Sequence, residues 1–514
     1  MLSTKVASLP RPWPSEAVRA SPGARADESG ATVARNALYL VTGQAATTVL
    51  AIVVSAALGR FLGAKDFGTY YLIATMSTFA YVFVEWGQPL LVIRQAARDP
   101  LRSGELLGTA LVLRAAFALV VIVPAGAIAW ALGYGAHTTR LSVFLILASL
   151  PLFLAQGYGM VFRARDQMGR DAVVSISNKA IALGVMLPAL ALGAGIPGVI
   201  VAQAVAGLAA LGVAARLYRR LGAPPLNASS QTARELLAAG APILAMTAAS
   251  AAQPYLDAII LSKLAPAVVV GWFGAARNVL GTLLAPAAIL GAAAYPHIAR
   301  ASTEPDILGR SVRSAFRPLL WLGALAATGT YLFAGTAIGL IYGAEGFGPA
   351  ATILRVFSPA LFLIFIDILL GNIIYASGGG TGFAVAKIVS VVVGTALDLA
   401  LIPLFQQRLG NGGVGVVVAF ALSELVVFAG AVMVMRRGTL EPGTALDALR
   451  ALAAGGLTVL LFRLAPPVPA WLGIPLCVAV FAAASMALGL VSRRELAVLA
   501  TLAPVPRRRR VEVL

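Results

Sequence analysis

Long apolar runs separated by short charged connections dominate this sequence and restrict the folds open to it. About fourteen such runs of roughly 17–25 residues follow one another, which is the length that an α-helix needs to cross a bilayer. Lipid offers no hydrogen-bonding partner, so each run has to satisfy its backbone polar groups internally. The sequence therefore predicts an all-α polytopic membrane protein with about fourteen transmembrane helices. The runs lie at 38–58, 69–87, 106–132, 141–162, 173–192, 196–215, 240–262, 270–293, 318–342, 350–376, 381–405, 411–435, 446–464 and 469–491.

The composition agrees with this class. Of 514 residues, 59% are hydrophobic and 12% are charged, whereas a soluble domain carries about 25% charged residues. Cys477 is the only cysteine, so no disulfide can form within the chain, and His137 and His297 are the only histidines. Because structural metal sites rest on several Cys or His ligands, we expect no metal site and no bound cofactor.

Two internal similarities indicate two related halves. The stretch 60–70, R-F-L-G-A-K-D-F-G-T-Y, has a counterpart in 261–273, L-S-K-L-A-P-A-V-V-V-G-W-F. The stretch 198–208, G-V-I-V-A-Q-A-V-A-G-L, has one in 415–425, G-V-V-V-A-F-A-L-S-E-L. We expect 60–70 to be a short turn at a membrane surface, because it carries three charges between two apolar runs. Six spans per half is an even number, so the halves share one orientation and are related by an axis along the membrane normal.

These patterns divide the chain into six parts. The first apolar run begins near Leu38 and is long enough to span, so the N-terminus does not resemble a cleaved signal peptide. Prolines 242, 254, 286 and 359 interrupt spans and predict bends. The expected parts are a disordered cytoplasmic tail at 1–36, a six-helix lobe at 37–216, a linker on the inner surface at 217–239, a second six-helix lobe at 240–437, an additional helix pair at 438–492 and a basic cytoplasmic tail at 493–514.

The distribution of basic residues predicts the orientation. If both termini are cytoplasmic, most of the 39 Lys and Arg residues fall on the cytoplasmic side, as the positive-inside rule requires. The formal net charge of +18 is then a topology signal and does not indicate nucleic-acid binding. The expected outside loops contain only Arg60, Lys65, Arg140, Lys263, Arg408 and Arg463.

Charged residues inside the predicted spans point to a polar interior. Each would cost roughly 2.5–3.5 kcal/mol near the bilayer centre, on the order of 30 kcal/mol in total, so they must face one another or water. Glu85 and Arg355 lie near span ends, and for these two we expect snorkelling to the surface. The ten residues are Glu85, Arg114, Lys179, Asp257, Arg277, Arg355, Asp367, Lys387, Asp398 and Glu424.

Several short motifs identify a family resemblance. They are A-R-N-A-L-Y-L at 34–40, the 60–70 stretch, F-R-A-R-D-Q-M-G-R at 162–170, and D-A-I-I-L-S-K-L with G-W-F-G-A-A from residue 257 to residue 276. The chain resembles the oligosaccharide flippases of the polysaccharide transporter family, within the multidrug, oligosaccharidyl-lipid and polysaccharide exporter superfamily. This resemblance implies a V-shaped pair of six-helix bundles in a bacterial inner membrane.

The resemblance also implies an activity. The protein would be a non-enzymatic flippase that carries a polyprenyl-linked oligosaccharide from the inner to the outer leaflet for surface polysaccharide synthesis. Its partners would be the lipid-linked oligosaccharide, the membrane, a polysaccharide polymerase and glycosyltransferases.

Three basic residues are candidates for cargo binding. Arg114 and Lys179 lie in the cytoplasmic half of the first lobe, and Arg277 lies in the outer half of the predicted span 270–293. Cations in a cavity would attract a pyrophosphate or an acidic sugar through charge-assisted hydrogen bonds. The alternative is that each one neutralises a carboxylate and only holds the bundle together. Both interpretations stay open for Arg114 and Lys179, and pairing is favoured for Arg277.

The second-lobe carboxylates are candidates for ion coupling. Asp257 and Asp398 lie at similar depth, and Glu424 lies nearer the middle of its span. Lys387 is eleven residues before Asp398, about 16 Å along the helix, so the two cannot pair directly. The resemblance implies Na⁺ or H⁺ coupling at Asp257, at Asp398 with Thr395, and at Glu424. Pairing with Arg277 or Lys387 is the alternative for these acids.

Functions of two other classes remain open at the level of sequence. A multidrug exporter of the same superfamily would share the repeat and bind small amphiphiles. A membrane glycosyltransferase or sugar polymerase would be expected to carry a long outer loop with acidic or histidine residues, and the predicted outer loops are short. No connection contains a Walker motif, so we expect a secondary transporter that uses an ion gradient or the cargo gradient.

Overall fold

The computed structural model describes residues 22–301, 305–435, 438–466 and 468–491. Within these ranges the chain forms fifteen α-helices and one 3₁₀ turn, Pro100–Arg102, without a β-strand. The predicted basic tail and most of the predicted N-terminal tail lie outside the described residues. The helices are α1 Pro22–Glu85, α2 Gln88–Arg98, α3 Ser103–Ala131, α4 Ala136–Ala164, α5 Met168–Ala191, α6 Gly195–Arg219, α7 Ser230–Leu264, α8 Ala267–Leu283, α9 Ala285–Ala301, α10 Pro305–Tyr342, α11 Gly348–Ala376, α12 Gly380–Leu409, α13 Gly412–Val434, α14 Pro442–Leu464 and α15 Ala470–Ala487.

The helix lengths confirm a polytopic membrane protein. Twelve helices in the described ranges are long and apolar enough to cross a bilayer, and thirteen if the two bent parts of α7 form one span. The apolar part of α1, Thr42–Glu85, has 44 residues, about twice the length of one crossing. Because α1 is broken at Gly63, it supplies two spans, and the total agrees with the expected number.

The predicted turn at 60–70 is far shorter than expected. Only Gly63 leaves helical geometry, with φ 70° and ψ 170°, and the flanking charged residues stay helical. A glycine adopts this backbone conformation without a steric penalty, so a single residue is enough to break the helix. We call this end of the bundle the Gly63 end, and the opposite end, where α1 finishes beside Trp86, the Trp86 end.

Three other boundaries differ from the sequence prediction. Residues 22–36 belong to α1 instead of a disordered tail, because extending a nucleated helix adds one hydrogen bond for each residue fixed. The connection after α1 contains the short helix α2, which buries Val92 and Ala96 one turn apart. Residues 230–239 of the expected linker are the first turns of α7, which Ser229 caps by accepting a hydrogen bond from the Thr232 N–H.

Two prolines coincide with breaks. The two parts of α7, Ser230–Ala249 and Ala251–Leu264, are inclined by 47°. Pro254 lies four residues after the break at 250, where its ring would clash with the carbonyl of a straight helix. The predicted span 270–293 is divided at Leu284 into α8 and α9, just before Pro286. Pro359, by contrast, lies within an unbroken α11.

The second lobe repeats the packing of the first. Helices α3, α4, α5 and α6 correspond to α10, α11, α12 and α13, and the most extensive contacts in each lobe join corresponding pairs: α3 with α4 and α10 with α11, α4 with α6 and α11 with α13, α5 with α6 and α12 with α13. The correspondence of α6 with α13 agrees with the predicted similarity of 198–208 and 415–425. Two lobes in a parallel repeat are therefore confirmed, with α14 and α15 packed outside on α10.

The lobes meet most closely where α1 crosses α8. A Cβ atom on Gly68 would overlap the carbonyl oxygen of Ala267, and a Cβ atom on Gly271 would overlap the carbonyl oxygen of Ala64. The contact is thus reciprocal, with a small residue one turn before each glycine. Small residues at this spacing let two helix backbones approach closely in a membrane. The crossing joins the stretches 60–70 and 261–273, which the sequence similarity relates to one another.

Hydrogen bonds reinforce the lobe contacts at both ends. At the Gly63 end, the Arg60 guanidinium donates to the Leu340 and Ile341 carbonyls at 2.6 and 3.0 Å, which satisfies the C-terminus of α10. Nearby, the Tyr134 hydroxyl lies 2.5 Å from the Ser262 hydroxyl. At the Trp86 end, the Trp86 indole N–H donates to the Leu237 carbonyl of α7 at 3.0 Å.

We predict that Gly271→Ala and Gly68→Ala each reduce the stability of the detergent-solubilised protein by about 1–3 kcal/mol, because the added methyl group forces the backbones apart. Thermal unfolding followed by circular dichroism measures the effect. Gly281→Ala is the matched control on α8, since a Cβ atom there meets nothing within 4 Å. Equal unfolding temperatures for Gly271→Ala and Gly281→Ala would contradict the importance of the crossing.

Candidate functional site

A cavity of about 450 Å³ lies between the lobes, next to the Gly63 end. Both parts of α1 line it, together with residues from α4 to α8 and from α10. Its polar and aromatic lining comes from both lobes, which is where the parallel repeat predicts a transport site. These side chains are Ser55, Tyr70, Tyr71, Thr75, Thr78, Asn178, Lys179, Gln203, Tyr255, Asn278, Thr282 and Tyr342.

Among the described residues that line this cavity, Lys179 is the only charged one. It is half-buried on α5, and within the described part of the chain it has no ion pair or hydrogen bond. An ammonium group held in this way is available to an anionic ligand. Of the two interpretations open for Lys179, its position favours cargo contact.

Arg114 lies apart from the cavity, inside the first lobe. Its side chain is 1% exposed, and its guanidinium donates to the Gln88 side chain at 3.1 Å and to the Phe153 carbonyl at 2.6 Å. Nη2 also lies 3.4 Å from a carboxylate oxygen of Glu85. Arg114 is therefore a partner of Glu85 that the sequence prediction did not assign. Arg114 thus joins α1, α2, α3 and α4 and does not belong to the described cavity lining.

Arg277 lies between the cavity and the interior of the second lobe. Its guanidinium carbon is 5.9 Å from the ring centre of Phe357 and 5.3 Å from that of Phe420. It interacts electrostatically with the buried acids Asp257 and Glu424. The same charge also reaches Tyr71 and Tyr255 of the cavity lining. Within the described part of the chain, however, no carboxylate lies within ion-pair distance of Arg277, and its buried Nη1 has no hydrogen-bond partner. Direct pairing of Arg277 therefore stays a prediction.

The three candidate carboxylates lie buried in one part of the second lobe. Asp398 is 1% exposed, Asp257 is 3% exposed and Glu424 is 6% exposed. The Asp257 and Asp398 carboxylates are neighbours, although α7 and α12 are far apart in sequence. Both oxygens of Asp398 and one each of Asp257 and Glu424 have no hydrogen-bond partner within the described part of the chain.

Charge is unbalanced around these acids. Lys387 binds Asp367 at 2.7 Å, a partner that the sequence prediction did not assign, and both interact with Glu424. Together with Arg277, Asp257 and Asp398, this network contains four carboxylates and two cations. Burying unpaired negative charge is costly. Thr395 is half-buried one turn before Asp398, on the same face of α12.

Polar contacts hold this network in place. The Gln253 amide donates to the Ser423 hydroxyl at 2.6 Å, and the Ser390 hydroxyl donates to the Ser423 carbonyl at 2.9 Å. These bonds join α7, α12 and α13 around the carboxylates. No group of three or more His, Cys, Asp or Glu side chains in residues 22–301, 305–435, 438–466 and 468–491 is arranged to hold a metal ion.

Sequence reasoning missed the uncharged part of the cavity. Four tyrosines and the amides Asn178, Gln203 and Asn278 contribute to its lining. Uncharged polar residues are ordinary in membrane helices, so nothing in one sequence separates those that face a cavity. The adjacent Tyr70 and Tyr71, at the end of the 60–70 stretch, were the available signal.

Comparison with known sequence families gives one match. A sequence family described as "Polysaccharide biosynthesis protein" matches residues 33–302, just over half of the chain. No curated protein matches significantly.

Solved structures of similar fold were also found. The lipid II flippase MurJ in an inward closed conformation is similar over 90% of this chain and 99% of its own, with a TM-score of 0.70 and 11% sequence identity. An inward-facing multidrug resistance MATE family transporter of the MOP superfamily is similar over 75% of this chain and 94% of its own, with a TM-score of 0.62 and 15% sequence identity. A mutant of the Vibrio cholerae MATE transporter VcmN is similar over 80% of this chain and 99% of its own, with a TM-score of 0.55 and 15% sequence identity. At sequence identities this low, the similarity to these structures establishes a shared fold and nothing more.

We predict that Arg114→Ala lowers the stability of the purified protein by about 1–3 kcal/mol, because the Phe153 carbonyl and the Glu85 carboxylate lose a charged donor. Thermal unfolding measures the loss, and adding Glu85→Gln should restore part of it by removing the unpaired charge. Arg140→Ala, at an exposed arginine, is the control. The pairing role fails if Arg114→Ala unfolds at the same temperature as Arg140→Ala.

Proposed function

Because the chain belongs to the polysaccharide biosynthesis protein family, we propose that it is a secondary transporter of a polyprenyl-(pyro)phosphate-linked oligosaccharide. It moves this cargo from the inner to the outer leaflet of a bacterial cytoplasmic membrane by alternating access, and it catalyses no bond change. The observation that carries the proposal is the inter-lobe cavity, which is lined by polar side chains, tyrosines and one unpaired ammonium group. The MurJ-like fold supports the same assignment.

We propose that both termini are cytoplasmic, as the distribution of Lys and Arg favours. The Gly63 end then faces outward, and the cavity lies just inside it. Release of cargo to the outside requires separation of α1 from α8 at Gly68 and Gly271 and loss of the Arg60 hydrogen bonds to α10. A rigid-body movement of one lobe against the other would break both contacts together.

We propose that the second-lobe carboxylates bind the coupling cation, either H⁺ or Na⁺. The network of four carboxylates and two cations lacks positive charge, and the unpartnered oxygens of Asp257, Asp398 and Glu424 are the atoms that would receive it. Two adjacent buried carboxylates cannot both be ionised without a compensating cation. Arg277 interacts with this network and with the cavity tyrosines, so cation binding and cargo binding are linked through its charge.

Reconstitution of the full chain in liposomes tests the transport function. We expect a prenyl-pyrophosphate-linked oligosaccharide with a fluorescent sugar to become accessible to a membrane-impermeant quencher only when the protein is present. Protein-free vesicles and vesicles with an unrelated membrane protein are the controls. Movement of an amphiphilic dye without movement of the lipid-linked sugar would instead indicate a multidrug exporter. Formation of polymer from activated sugar by the protein alone would indicate an enzyme.

The coupling role makes a separate prediction. Asp398→Asn removes an ionisable group from the network, so we expect translocation to lose its dependence on an imposed proton or Na⁺ gradient while wild-type protein keeps it. Glu345→Gln, at an exposed carboxylate, is the matched control and should behave as wild type. Applying the two gradients separately identifies the cation. Asp398→Asn protein that responds to a gradient like wild type would exclude Asp398 from coupling.

A further inference from the structure

We propose that the cavity binds the sugar of the cargo through tyrosine rings and amide side chains, and that it accepts one anionic group, at Lys179. This inference rests on the proposed function and adds the chemical class that the site recognises. The sugar is the part held in the cavity, and a diphosphate by itself is a poor ligand.

The first step is the charge of the lining. A pyrophosphate carries at least two negative charges and is bound best by several bidentate arginines. Among the described residues, the cavity lining contains no arginine, and Lys179 is its single cation. Arg114 is held by Glu85 and Arg60 by the end of α10, while Arg277 lies against Phe357 and Phe420, outside this lining. The described lining therefore offers one cation to one anionic group.

The second step is the aromatic surface. Tyr70, Tyr71, Tyr255 and Tyr342 line the cavity from three helices of both lobes. The Tyr255 ring packs against Phe79 with ring centres 4.8 Å apart, and Tyr71 packs edge-on against Phe273 at 6.2 Å, so both rings are fixed from behind. The face of an aromatic ring is negatively polarised and attracts the slightly positive C–H groups on the flat face of a sugar.

The third step is the set of hydrogen-bonding groups. Amide side chains both donate and accept, as sugar hydroxyls do. Asn278 donates to Ser55 at 3.0 Å, which in turn lies 2.6 Å from the Tyr342 hydroxyl, so this part of the wall is preorganised. Asn178 is adjacent to Lys179 on α5, and within the described part of the chain no hydrogen bond uses its side chain. A ligand with hydroxyls beside one anionic group matches this arrangement.

The size of the cavity sets the extent of the ligand. A volume of about 450 Å³ lies within the range of pockets that enclose a drug-sized molecule. It therefore holds a short sugar segment and leaves the rest of a longer chain outside. The anionic group at Lys179 is either a carboxylate on the sugar or the phosphate next to it, and these two sources can be separated by the choice of ligand.

Binding to the purified full-length protein tests the proposal. Saturation-transfer NMR and calorimetry would be carried out with cellobiose, cellobiouronic acid, glucose 1-phosphate and inorganic pyrophosphate. We expect the neutral disaccharide to bind, one of the two anionic sugars to bind about tenfold more tightly, and pyrophosphate alone to bind most weakly. A preference for cellobiouronic acid assigns the charge to the sugar, and a preference for glucose 1-phosphate assigns it to the carrier.

Variants identify the groups responsible. Lys179→Met should remove the tenfold advantage of the anionic sugar and leave cellobiose unchanged, whereas Lys65→Met, at an exposed lysine, should alter neither. Tyr255→Ala should weaken all sugar ligands several-fold, and Tyr255→Phe should retain most of the affinity because it keeps the ring. The Phe variant also preserves the packing on Phe79, so loss of folding cannot mimic this pattern.

The proposal is overturned if no sugar ligand binds, if pyrophosphate binds as tightly as the sugars, or if the affinities of the Lys179 and Tyr255 variants equal those of wild type. These failures are distinct from failure of the transport function. If the wild-type protein and the Lys179→Met and Tyr255→Ala variants all translocate lipid-linked oligosaccharide equally well, the proposed function stands and the sugar-binding assignment is rejected. If the wild-type protein moves no lipid-linked sugar, the proposed function itself is rejected.

Discussion

The close crossing of α1 and α8 at Gly68 and Gly271 is the contact on which the two-lobe arrangement depends. Helices surrounded by lipid gain little from hydrophobic burial against one another, so their association relies on close van der Waals contact between small residues. The reciprocal contacts of Gly68 with Ala267 and of Gly271 with Ala64 provide it. The cavity begins within one helical turn of this crossing, since Phe67 and Tyr70 line it.

The two lobes share a fold and differ in how they accommodate buried charge. In the first lobe, Arg114 and Glu85 compensate each other, and Lys179 remains as a single cation at the cavity. In the second lobe, Lys387 and Arg277 are the two described cations that interact with four carboxylates. The described cavity lining therefore carries positive charge, whereas the described interior of the second lobe carries an excess of carboxylates.

Parts of the candidate site were predictable because a charge inside an apolar run is conspicuous. Asp257 and Asp398 were placed at similar depth from their positions along their spans, and the structure makes them neighbours. Their common surroundings with Glu424 and Arg277 were not predictable, since spans that are apolar on every side give no indication of which faces meet. For the same reason Asp367 was missed as the partner of Lys387, and Glu85 as that of Arg114. The helical continuation through 60–70 was missed because charge and glycine content indicated a turn, whereas one glycine is sufficient to break the helix.

The sequence by itself determined the class of protein, the number of crossings and the repeat, because these follow from the length of apolar runs and from the cost of exposing backbone and charge to lipid. The tertiary structure alone decided which charges are paired, which uncharged side chains line the cavity and where the lobes touch. Those features depend on the rotation of each helix about its axis and on its neighbours. Rotation is set by packing between helices, and a sequence of uniformly apolar spans does not encode it in any local pattern.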